Sequence, residues 1–145
     1  MTMHHPKLDD LVRRDPRYAY EAYEFLFAAL AHTQRTLGRV PPPEGAETAK
    51  GVEKDYHVSG PELLEGVRDL ALREFGLMAR TVFRMWGVNR TDDFGELVFN
   101  LVEAGLMSKT EEDSRKDFHA IYDLDEALVR GYRIEAAQEE VEGGS

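Results

Sequence analysis

With 145 residues, 42% hydrophobic and 32% charged, the chain suits one soluble domain with a real core rather than a disordered polymer. It has no cysteine, which excludes disulfides and thiolate chemistry. Its formal net charge of −10 is unevenly spread: residues 91–145 carry fifteen acidic and five basic groups, residues 66–90 two and five. The last third of the chain therefore repels polyanions.

No apolar run approaches the roughly 20 residues of a membrane span. The first residues, MTMHHPKLDD, lack the apolar centre of a secretory signal. Cytoplasm is the expected location. Residues 6–14 (PKLDDLVRR) predict a short helix opened by Pro6. Residues 18–37 predict a longer one, stopped by Gly38. Apolar side chains cover more than half of its circumference, so it is either central in its own domain or shared with a second chain. A homodimer through the 18–37 helix is one expectation. Residues 39–58 are Pro/Gly-rich and aperiodic, the joint between an N-terminal helical arm (1–38) and a core at 59–134.

Ser59-Gly60-Pro61-Glu62 has the pattern of a capping box, and Leu63, Leu64, Val67, Leu70, Ala71 and Phe75 follow at helical period. Gly76 separates this helix from the next, Leu77 to Trp86, whose expected core side is Met78, Val82, Met85 and Trp86. Gly87 ends it. Thr91 caps a third helix with core residues Phe94, Leu97, Val98, Leu101 and Val102, closed by Gly105. Phe118, Ala120 and Tyr122 then alternate with His119 and Ile121, the period of a strand returning in a hairpin. Asp123 caps a last short helix carrying Leu124, Leu128 and Val129, and residues 135–145 read as a disordered acidic tail.

Three helices and a hairpin make the order of a winged helix, with Tyr56-His57-Val58 available as a third strand. The expected fold is mainly α: a winged-helix-like core (three helices plus β-hairpin) with an N-terminal helical arm. A plain helical bundle with a hairpin attached is the rival.

In that fold the outward face of the third helix carries Asp92, Glu96, Phe99, Asn100 and Glu103, and the hairpin tip carries Glu111, Glu112 and Asp113. DNA readers place Arg, Lys, Asn or Gln there, and carboxylates oppose the phosphate term of DNA affinity. An aromatic ring with an acidic border suits a protein partner instead, a basic one by complementarity. The candidate partner-binding set is Phe99, Glu96, Asn100, Glu103, Glu111 and Glu112. The competing reading is that the 18–37 helix covers Phe99.

Arg73, Arg80, Arg84 and Arg90 form a second candidate, an anion-binding edge that makes a nucleic-acid-associated regulator the alternative function. The blander reading is a solvated face pairing with the chain's own carboxylates. There is no P-loop, dinucleotide fingerprint, HExxH or CxxC pair. The five histidines make no spaced metal motif, and His57 and His119 read as structural or exposed rather than catalytic. A non-enzymatic adaptor with no cofactor and no metal is the functional expectation.

The runs HVSGPELLEGVRDLALREFG, MARTVFRMWGV and TDDFGELVFNLVEAGLMSKTEEDSRKDFHAIYDLDEA resemble a family of conserved hypothetical proteins from planctomycetes and verrucomicrobia, over residues 15–135. The resemblance implies a bacterial cytoplasmic protein of this size. It transfers no catalytic or binding residue.

Overall fold

The computed structural model describes residues 5–40, 57–107 and 114–130. It is mainly helical. Among the described residues five α-helices follow one another: α1 (Pro6–Arg14), α2 (Tyr20–Leu37), α3 (Gly60–Phe75), α4 (Ala79–Met85) and α5 (Thr91–Glu103). Gly76–Met78 and Arg115–Phe118 are 3-10 turns, and Glu126–Arg130 is a π turn. None of these helices is long and apolar enough to cross a membrane.

Most expected starts and stops are in place; the exception is α5, where Arg90 rather than Thr91 holds the N-cap position and Asp93 accepts from Arg90 N at 3.0 Å. Ser59 Oγ accepts from Glu62 N at 3.2 Å while the Glu62 carboxylate accepts from Ser59 N at 3.0 Å, the capping box that opens α3. Arg39 Nη1 adds a bond of 2.9 Å to the same carboxylate, tying the chain beyond α2 to the start of α3. Gly38, Gly76, Gly87 and Gly105 all take positive φ where helices end.

The stretch expected as an N-terminal arm lies at the centre of the core. Tyr23, Leu26 and Ala29 of α2 are fully buried together with Leu64 and Val67 of α3 and Phe94 and Leu97 of α5. α2 and α3 form the largest helix pair. They approach so closely that a Cβ at Gly66 would collide with Thr33 Oγ1, which is itself bonded to Ala29 O at 2.7 Å. A ring cluster of Phe25, Phe83, Trp86 and Phe94 fills one end, with centroids 5.3–5.8 Å apart. Two further bonds lock the turn before α2 onto the other helices. Tyr18 Oη donates to Asp93 at 2.7 Å, and Ala19 N donates to Trp86 O at 3.1 Å.

Two expectations are corrected. The winged-helix hairpin is not formed by the described residues, which contain no strand. The supposed return strand begins as a 3-10 turn because Ser114 caps it: Ser114 Oγ accepts from Lys116 N at 3.2 Å and Asp117 accepts from Ser114 N at 2.9 Å. Ala120 then takes φ 46 and is exposed, which breaks the two-residue alternation. Short-range side-chain capping has overridden a weak strand period. His57 and Val58 are likewise in no strand. Tyr56, the tip at 108–113, most of the 39–58 loop and the 135–145 tail lie outside the described residues.

The second correction concerns α4. Its core face is Ala79 and Phe83, both fully buried, while Met78 and Met85 of the expected core stripe are 57% and 77% exposed. Gly76, at φ 54, turns the chain sharply and a 3-10 turn follows, so the azimuth carried over from α3 is lost. Phe83 then wins the inner side because a ring among rings buries more apolar surface than a flexible thioether. Downstream, Asp123 caps as expected, accepting from Glu126 N at 3.0 Å, and Leu124 and Leu128 are buried.

Candidate functional site

The outward face of α5 is folded into the molecule. Asn100 donates to Asp15 at 3.0 Å and to Tyr23 Oη at 3.1 Å. Glu96 lies 3.4 Å from Arg17 and 3.9 Å from Arg115. Arg17 also grips Asp15 through two bonds of 2.7 and 2.8 Å. The Arg17 bonds, aided by Asn100, hold the Asp15 carboxyl at about 2, well below the usual range, against the opposing effect of burial. The turn between α1 and α2 thus covers much of the predicted ridge. Glu103 is exposed, and Glu111 and Glu112 lie outside the described residues.

Phe99 is half-buried against the core, with the Arg115 guanidinium 5.3 Å from its ring centroid. On its inner side opens a cleft of about 280 Å³ between α2, α3 and α5. Phe27 and Leu30 form one wall, Val98 and Phe99 another, and Leu106 and Met107 lie at the edge beyond Gly105. Phe118 closes the floor, pressed so tightly on α5 that a Cβ at Gly95 would come within 2.9 Å of it. Gln34, His57 and Ser59 supply polar groups beside the apolar walls. Such a lining takes an apolar side chain. The sequence singled out Phe99 but not the cleft beside it, although Leu106-Met107 directly after a helix-stopping glycine was a usable signal.

Two of the four predicted arginines are paired within the chain. Arg80 is 12% exposed, bonded to Asp125 at 2.8 Å and to Val88 O and Asn89 at 3.3 Å. Arg73 pairs with Asp69 at 3.1 Å one turn earlier on α3. Arg84 and Arg90 are exposed.

A second cleft, of about 310 Å³, lies at the start of α5 between Arg90 and Tyr122. Asp92 accepts from His119 Nδ1 at 2.7 Å and from Ala120 N at 3.1 Å, and the His119 bond draws its carboxyl below the usual range. Thr91 Oγ1 donates to Phe118 O at 2.7 Å and accepts from Ile121 N at 3.1 Å. Adjacent residues of the first turn of α5 thus fasten the 118–121 segment, and the imidazole acts as part of that fastening. Asp92, read from the sequence as part of the outward face, thus serves the helix's first turn and this fastening together. Among the described residues no group of three or more His, Asp or Glu side chains is placed to hold a metal ion.

No family model, curated protein or solved structure matches this chain.

Proposed function

We propose that this chain is a protein-interaction module, and that it captures an apolar side chain from a basic, amphipathic partner segment in the cleft beside Phe99. The observation that carries the reading is the cleft itself: apolar walls from three helices with polar groups beside them. Partner charge follows from the net −10 of the chain and from exposed Glu103, one turn beyond Phe99. Acid there steers a cationic segment inward and disfavours nucleic acid. The role first read for the ridge of α5 moves to the cleft behind it, because Glu96 and Asn100 already have partners within the chain.

A lysine-rich amphipathic peptide, titrated into isotope-labelled protein, tests this. Shifts concentrated on Phe99, Leu106 and Met107, and lost when Val98→Trp fills the cleft, are the expected result. Shifts elsewhere, or shifts unchanged by Val98→Trp, would refute it.

A further inference from the structure

The seven phenylalanines of the chain fall into two sets. Phe25, Phe75, Phe83 and Phe94 form one ring cluster with Trp86, with centroids 5.3–5.8 Å apart. The other three, Phe27, Phe99 and Phe118, all line the cleft. They come from α2, from α5 and from the 115–118 turn, so three separate elements each bring a ring to one concavity. Phe27 and Phe99 are half-buried. Among the described residues neither Phe27 nor Phe118 is in contact with another ring. The floor is held in place. A Cβ at Gly60 would come within 3.2 Å of the Phe118 ring and one at Gly95 within 2.9 Å of its Cβ, while Thr91 fastens the backbone behind it. Met107 adds a thioether at the edge, and sulfur packs favourably on rings.

We propose that the side chain this cleft takes from its basic, amphipathic partner is aromatic. The inference rests on the reading of the cleft as a partner site and adds its specificity. An aliphatic group of equal size would bury much the same area. A ring gains, beyond that area, the offset and edge-to-face contacts that other rings offer. Rings already fixed by the fold lose little freedom when the partner arrives, so more of that gain appears as affinity. The buried cluster around Trp86 is the same kind of packing completed within the chain. In the cleft the partner supplies the missing ring.

Two lysine-rich amphipathic peptides that differ at one position test the inference. One carries phenylalanine there and the other cyclohexylalanine, which is similar in size, more apolar and not aromatic. Titrated into the isotope-labelled full chain, the phenylalanine peptide should bind about threefold to tenfold more tightly. The double variant Phe27→Leu, Phe99→Leu, at two half-buried helical sites, should bind both peptides alike. Equal or tighter binding of the cyclohexylalanine peptide to the parent overturns the inference and leaves the partner site standing. A preference that survives in the double variant also overturns it. Binding of neither peptide at the cleft overturns the partner site and the inference together.

Discussion

The outer faces of α5 and α4 exchange the roles that their residues suggest. The α5 face is rich in acid and amide and has the composition of open surface, yet Asn100 and Glu96 are bonded to Asp15, Tyr23 and Arg17 from the other end of the chain. The α4 face has the composition of a core, and Met78 and Met85 are in water. Composition states what a face prefers. Which face turns inward is decided by competition among neighbours, and on α4 the winner is Phe83, wedged among Phe25, Trp86 and Phe94.

That competition is open to direct attack. Phe83→Ala should cost about 3–5 kcal/mol in urea unfolding, since it empties a fully buried ring site. Met85→Ala should stay within about 0.5 kcal/mol of the parent. Comparable losses for the two would place both on the core side and undo the comparison. Thr91→Val ranks next. It leaves Phe118 O without its donor and Ile121 N without its acceptor, a loss of about 1–3 kcal/mol. A change of a few tenths would show that the 118–121 segment is not fastened there.

The polar side of the comparison is sharpened by pH. Asp15 is held at about 2 in the folded chain, against an ordinary value near 3.9. A lowered folded value gives stability that is complete above the ordinary carboxylate range and disappears as pH falls toward about 2. The stability difference between the parent and Asp15→Asn should therefore close on acidification across that window. A difference independent of pH would mean that the carboxylate, and with it the α1–α2 turn, is not engaged by Arg17 and Asn100. The smallest effect is expected of Met78→Ala, close to zero for the same reason as Met85→Ala.

Much of the frame was readable from local signals. The Ser59–Glu62 box, the glycine stops and the Asp123 cap each act within a few residues, and each is where the pattern places it. The apolar period of α3 and α5 also pointed to the correct inner faces, since Leu64, Val67, Phe94 and Leu97 are fully buried. Long-range partners were not readable. Nothing near Asn100 in sequence announces Asp15 or Tyr23, 85 and 77 residues away. The strand expected at 118–122 failed because a five-residue alternation is weak evidence beside a serine cap. In α4, seven residues preceded by a glycine turn are too few for period alone to choose between Phe83 and the methionines. The cleft was hidden for a further reason: its walls come from three helices, and only their packing makes a concavity.

Because the chain contains no cysteine, single introduced thiols report on α4 without interference. The decisive measurement compares the labelling rates of Met85→Cys and Ala79→Cys in dilute solution. Labelling of Met85→Cys at the rate of a free thiol, with Ala79→Cys slowed to the rate of core opening, is the predicted result. Protection at position 85 together with rapid labelling at position 79 would contradict it, and would turn α4 back to the face that its methionines first suggested.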